Sequence, residues 1–198
     1  MDHTRDRLIR VAMELFGQQG YHSTSVADIE GAAGLSPGSG SLYRHFRSKE
    51  ELLAAGVLDQ IARGEPLLAA LESPEPFPEL SLRDTLRTVV GYGLDRIEQD
   101  GDLNRLLLRD LPAFPELMEA ARTQELARVH TAVAHLLRGL GDQAPRDWDA
   151  LACVVVGAVS HYWLLRDIFD DHPSHVDRSR FTESVVDLVA IWIEHQSG

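Results

Sequence analysis

Apolar residues recur along this chain every three to four positions, and nowhere do they alternate every second position over the length of a strand. That period restricts the fold to packed helices, because a half-buried strand needs a repeat of two. The first stripe joins Leu8, Val11, Ala12, Leu15 and Phe16, with Thr4 as N-cap and Gly20 as the stop. A second helix is expected from about Ser25 to Ala33, with Val26, Ile29 and Ala33 inward and Asp28 in its first turn. Gly34 breaks it, and "GLSPGSGSLYRHF" comes next, glycine-rich in front and aromatic behind. Ser48 caps a fourth helix carrying Leu52, Leu53, Val57 and Ile61. Beyond the proline-rich "ESPEPFPELS", helices are expected from Ser81 past Ile97, Leu103 to Leu111, Pro115 to Leu140, Asp147 to Phe169 and Ser179 to His195. With a short third helix ending at Phe46, the reading is all-α, nine helices and no repeat.

Net charge is −12 over 198 residues, which taken whole argues against a nucleic-acid binder. Its distribution points the other way. Residues 1–50 hold six Lys/Arg and six Asp/Glu, and residues 51–198 carry the entire acidic excess. An acidic body with a neutral, locally basic head suits a protein that touches DNA at one end. The charged opening "MDHTRDRLIR" does not read as a signal peptide. The apolar run Ala150 to Leu165 contains Ser160 and His161 and is short for a bilayer. A single cysteine, Cys153, allows no internal disulfide and suits a cytoplasmic protein.

Three short helices with a tight turn before the third form a helix-turn-helix pattern. Leu42 and Phe46, four residues apart, pack the third helix inward and leave Ser39, Ser41, Arg44 and His45 for the nucleic acid. Tyr43 can send its hydroxyl to a phosphate, Lys49 can hold the flanking strand, and Ser23, Thr24 and Ser25 can do the same at the start of the second helix. The expected division is a DNA-binding domain over 1–50 and a larger helical region over 51–198.

The run "IRVAMELFGQQGYHSTSVADIEGAAGLS…GSLYRHFRSKEELL", Ile9 to Leu53, resembles the tetracycline-repressor (TetR) type of bacterial transcriptional regulator. The resemblance lies in a Phe-ended first helix, a Gly-Tyr turn, a Thr/Ser start to the second helix, an Ala-Gly turn, Leu-Tyr-x-His-Phe and Ser-Lys-Glu. It implies a nine-helix, Ω-like homodimer that binds a palindromic operator and whose larger region takes a small molecule. It also implies phosphate contacts at Thr24, Ser25, Tyr43, His45 and Lys49, and base reading from the front of the third helix, Ser36 included. One departure stands out: seven positions separate Ser36 from Tyr43, where the common pattern has five. Two residues inserted inside a helix would rotate all residues beyond them by about 200° and carry Leu42 and Phe46 off the core. The insertion is therefore expected before the helix, either as a longer turn or as an added half-turn capped by Ser36 with Pro37 first. Gly38 and Gly40 favour the turn, since each costs roughly 1 kcal/mol inside a helix. The segment also lacks the long amide and cationic side chains that usually read base edges, apart from Arg44.

The last two helices are apolar on more than one face, which demands burial on both sides. The family resemblance favours a four-helix bundle with a symmetry mate, through Val155, Ala158, Val159, Tyr162, Val185, Val189 and Trp192. A largely apolar effector is expected among the helices from Ser81 to Leu165, with Tyr92, Arg96, Arg105, Arg109, His130, His161 and Trp163 as candidate anchors. No catalytic constellation, cofactor motif or metal-site spacing is read. "DDHPSHVD" reads as a solvated loop and Cys153 as inert core. The functional expectation is a ligand-responsive repressor. The alternative is an all-α carrier or enzyme whose front helices only pack.

Overall fold

The computed structural model describes residues 3–73, 77–141 and 146–194. Among these residues there are nine α-helices and no strand: α1 (His3–Gln19), α2 (Val26–Ala32), α3 (Lys49–Leu71), α4 (Leu82–Gln99), α5 (Gly101–Arg109), α6 (Pro115–Ala120), α7 (Ala127–Leu140), α8 (Trp148–Phe169) and α9 (Arg178–Glu194). The all-α class holds, but the helices are divided differently from the sequence reading. The expected third helix is one 3-10 turn, Ser41–Arg44. The expected helix from Pro115 to Leu140 is α6 and α7 joined by a π-helical segment, Ala121–Leu126, so these three count as one helix if the segment is not separated. Pro74 and Pro76 of the expected linker, and His195 at the expected end of α9, lie outside the described residues.

The chain forms two compact units, Met1–Gly64 with Asp100–Glu125, and Glu65–Gln99 with Leu126–Gly198. The boundary expected at residue 50 is therefore not where compactness divides the chain. Three short helices offer too little apolar surface for an independent core. In the first unit Leu8, Phe16, Ile29, Leu42, Leu52 and Val57 share one core with Leu103, Leu106 and Leu111 from α5 and just beyond it. The stripe read in α1 is the buried one, with Leu8, Val11, Ala12 and Phe16 all enclosed.

In the second unit α4 packs on α8 and α9, and α7 packs on α8. Leu86, Val90, Leu94, Val133, Leu137, Val186 and Ile193 make up its centre. Arg87 grips Glu183 with two hydrogen bonds, 2.6 and 2.9 Å, and Arg178 reaches Asp95 at 2.6 Å, so α4 and α9 are also joined along their outer edge. Tyr162 is stacked between Phe181 and His172, at 4.1 and 5.2 Å between ring centres. His172 thus packs instead of being merely solvated.

The residues assigned to a subunit interface need correction. Val155, Val159, Tyr162, Val185 and Val189 are buried in this unit's own core, and Ala158 and Trp192 are half-buried. The exposed apolar residues lie on the other face: Val154 (66% exposed) and Ile168 on α8, Leu188 (71%) and Ile191 on α9. Cys153 is exposed beside Val154 and is not core. A helix apolar on two faces gives no periodic signal for which face its own chain will cover. Trp148–Phe169 is long and apolar enough to cross a membrane by length and composition, yet its inner face belongs to the core shared with α4, α7 and α9.

Leu42 is fully buried, and it is what ties the 3-10 turn to α1 and α2. Leu42→Ala is expected to destabilise the protein by about 2–4 kcal/mol. Urea unfolding followed by far-UV circular dichroism measures this, and a loss below about 1 kcal/mol would mean the turn is not anchored there.

Candidate nucleic-acid interface

The interface begins at the end of α1. Thr24 is fully buried, and its hydroxyl donates to the Gly20 carbonyl at 2.7 Å. Ser25 is the N-cap of α2 in a capping box: its hydroxyl accepts the Asp28 N–H at 3.1 Å, and Asp28 accepts the Ser25 N–H at 2.8 Å. The Ser25 hydroxyl also donates to Asp28, and these bonds hold the Asp28 carboxyl below its ordinary pKa. At the other end of α2 the Leu35 N–H bonds the Glu30 carbonyl (2.8 Å) and the Gly34 N–H bonds that of Gly31 (3.0 Å), a Schellman closure.

The two additional residues lie in the turn. The Ser39 N–H donates to the Ser36 carbonyl at 3.2 Å, with Pro37 and Gly38 between them and Gly38 at φ +73°. That is a type II turn: proline presets its second position, and the third needs the positive φ that glycine adopts without strain. Gly40, also at φ +73°, then leads directly into the 3-10 turn. No residue from Ser36 to Gly40 is helical, so the half-turn alternative is not what forms. Leu42 and Phe46 keep the buried register that an insertion within the helix would have destroyed.

Sequence reading missed Glu30. Its side chain is wholly enclosed, and Oε1 accepts the Leu42 N–H at 3.0 Å. The N–H groups of Gly38, Ser39 and Gly40 lie near the carboxylate without a hydrogen bond to it, and Oε2 has no hydrogen-bond partner. The Leu42 amide foremost, and these others after it, hold the carboxyl below its ordinary pKa against the opposing effect of burial. The available signal was an acidic residue four positions after Val26 and three before Ala33, on the inward stripe of a short helix.

Lys49 points inward. Its ammonium donates to the carbonyls of Tyr21 (2.8 Å) and Thr24 (2.9 Å) and lies 4.2 Å from the centre of the Tyr21 ring, where burial lowers its pKa. The Tyr21 N–H donates to Asp110 (3.3 Å), and Arg109 donates to Asp110 (2.8 Å) and to the Phe16 and Gly17 carbonyls (2.6 and 3.2 Å). Polar contacts therefore run from the end of α5, through the end of α1, to the start of α2 and α3. Thr24 and Lys49, expected as phosphate contacts, have their polar side-chain atoms directed to the protein backbone instead. The residues that remain outward are Ser25, Ser36, Ser39, Tyr43 (57% exposed) and Arg44, with Ser41 and His45 half-buried and the Ser39 and Ser41 hydroxyls 2.7 Å apart.

The profile of bacterial regulatory proteins of the tetR family matches residues 8–55. The transcriptional regulator TcmR of Streptomyces glaucescens is 33% identical over 172 residues, 82% of this chain and 74% of that one. The chain belongs to the tetR family. It is a DNA-binding transcriptional regulator and not an enzyme. The transcriptional repressor KstR2 of Rhodococcus jostii is 45% identical over 60 residues, 30% of this chain and 26% of its own length. The same fold is seen in reduced NemR of Escherichia coli, with a TM-score of 0.71 at 19% identity over 96% of this chain and 97% of that one.

The candidate effector anchors of this tetR-family chain are not brought together. Arg105 pairs with Asp102 at 2.9 Å and Arg109 caps α1, both in the first unit. In the second unit Tyr92 and His161 are exposed, Arg96 is half-buried, Trp163 is buried, and His130 donates from Nδ1 to the Leu126 carbonyl at 2.7 Å. That unit holds a small aliphatic cavity, with room for about one water-sized sphere, lined by Leu86, Val90, Val133, Leu137, Val155 and Val186 among others. None of the seven anchors lines it. Among the described residues no group of three or more His, Cys, Asp or Glu is placed to hold a metal ion.

Lys49→Ala leaves two inward carbonyls without their donor and should cost about 1–3 kcal/mol of stability. A positioning role predicts weaker DNA binding with an unchanged slope of log affinity against log salt. A direct phosphate contact predicts a slope smaller by about one unit.

Proposed function

We propose that the chain is a homodimeric repressor that binds a palindromic operator and leaves it when a small, largely apolar effector binds the second unit. The observation that carries the proposal is the exposed apolar face of α8 and α9, with Val154, Ile168, Leu188 and Ile191 outward beside the small Gly157. Monomers rarely leave such a surface uncovered, and a second copy of the same face closes it with twofold symmetry. Two heads related by that axis meet two half-sites related in the same way, which is why the operator is a palindrome. Repression is supported by the similarity to KstR2, described as a repressor. On this reading the protein is cytoplasmic.

At the head, Ser25, Tyr43 and Arg44 are proposed as phosphate contacts, and Ser36, Ser39 and Ser41 with Arg44 as the groove-facing set; half-buried His45 stays with the phosphate contacts. Thr24 and Lys49 orient these contacts from behind. The wholly aliphatic lining of the cavity supports an apolar effector, and its small size means that the surrounding helices separate as the effector enters. The reading in which the front helices only pack gives way to the tetR-family match over them.

Leu188→Glu is expected to convert the dimer to a folded monomer in sedimentation analysis, while Val186→Ala, inside the core, should lower thermal stability without dissociating it. Leu188→Glu remaining dimeric would refute the assigned face. Wild-type affinity for the promoter beside its own gene should fall linearly in a log–log plot against salt. Constant affinity between low and moderate salt would refute operator binding through phosphates.

A further inference from the structure

A fully enclosed carboxylate in a seven-residue helix is unfavourable unless something specific compensates for its desolvation. For Glu30 the compensation comes from backbone amides of the segment that departs from the common family pattern, that of Leu42 closest. Successive N–H groups around a turn form a concavity suited to an anion, and bonds to an ionised acceptor are stronger than neutral ones. The segment has little else to define it. Pro37, Gly38 and Ser39 are exposed, and its other hydrogen bonds are the Ser36–Ser39 turn bond, the Ser39–Ser41 pair and the Tyr43 N–H to the Gly40 carbonyl. Glycine-rich backbone loses more entropy on ordering than any other, so such a turn drifts without an anchor.

We propose that Glu30 is the positioning residue for sequence readout: its buried carboxylate holds the Leu42 amide from within, with the Gly38 and Gly40 amides turned toward it, and so fixes where Ser36, Ser39, Ser41 and Tyr43 meet the groove. This rests on the assignment of those residues to the DNA contact. Glu30 touches no DNA itself. It sets the outward direction of the hydroxyls by occupying the inward face of the turn, and the readout lies in serines because the turn holds them rigidly enough to discriminate.

The test uses the full-length dimer and two duplexes: the one that the wild type enriches from a random 30-base-pair library, and a scrambled duplex of equal composition. Glu30→Gln keeps the shape, removes the charge and turns donors toward donors. Its affinity for the scrambled duplex should stay within about twofold of wild type, while affinity for the selected duplex falls about tenfold or more. Its own selection should return blurred base preferences. Equal losses on both duplexes, or none on either, would overturn the proposal and leave Glu30 a packing residue. Failure of the wild type to enrich any duplex would overturn the underlying contact assignment and this inference with it. Hydrogen exchange on the wild type tests the same claim without a variant. The Leu42 amide should be protected as well as those within α2, and exchange as fast as that of the exposed turn amides would refute the anchoring.

Discussion

The Lys49 ammonium between the Tyr21 and Thr24 carbonyls is the contact on which the head's geometry depends. It lies at the first turn of α3, yet both acceptors belong to the connection from α1 to α2. One half-buried cation therefore holds three helix ends in register. The Tyr21 ring beneath it adds a cation–π contact and is itself packed edge-on against Phe114 at 4.9 Å. A charge placed there contributes more through the carbonyls it satisfies than through any ion outside, since unpaired buried carbonyls are costly. Arg109 likewise donates to the Phe16 and Gly17 carbonyls at the end of α1.

A second charge, of opposite sign, faces the other side of α2. Lys49 gathers carbonyls and Glu30 gathers amides, so the two ions complete backbone groups that short helices and a 3-10 turn leave unpaired. This explains how a head with so little regular helix keeps a defined surface. On the proposed contact set, a turn rich in serine and glycine is compatible with sequence recognition because its order comes from behind instead of from its own side chains.

The second unit is built differently. Its core is aliphatic and its outer edge between α4 and α9 is laced with arginine–carboxylate pairs that are largely exposed and add little stability singly. The same helices that bury Val155, Val159, Val185 and Val189 expose Val154, Leu188 and Ile191. Val155, Val185 and Val189 of the inner row line the cavity, and the outer row forms the proposed subunit contact. On the proposed function, an effector that spreads the inner row acts on the helices that carry the outer one.

Local sequence pattern determined the helical class, the inward residues of α1, α2 and α3 and the caps at Ser48 and Ser81, and comparison with the pattern of the family that the chain resembles placed two extra residues before Leu42. Those are local properties: a stripe, a cap or a register depends on residues within a turn or two of each other. Tertiary structure alone decided that the third helix shrinks to a 3-10 turn, that Lys49 and Thr24 face inward, that Glu30 is buried beneath the turn, and which apolar face of α8 and α9 is the inner one. Glu30 and Lys49 turn on partners 12 to 28 positions away, Thr24 on the way the chain leaves α1, and α8 and α9 on a choice between two apolar faces. Spacing within a helix carries no information about such a partner.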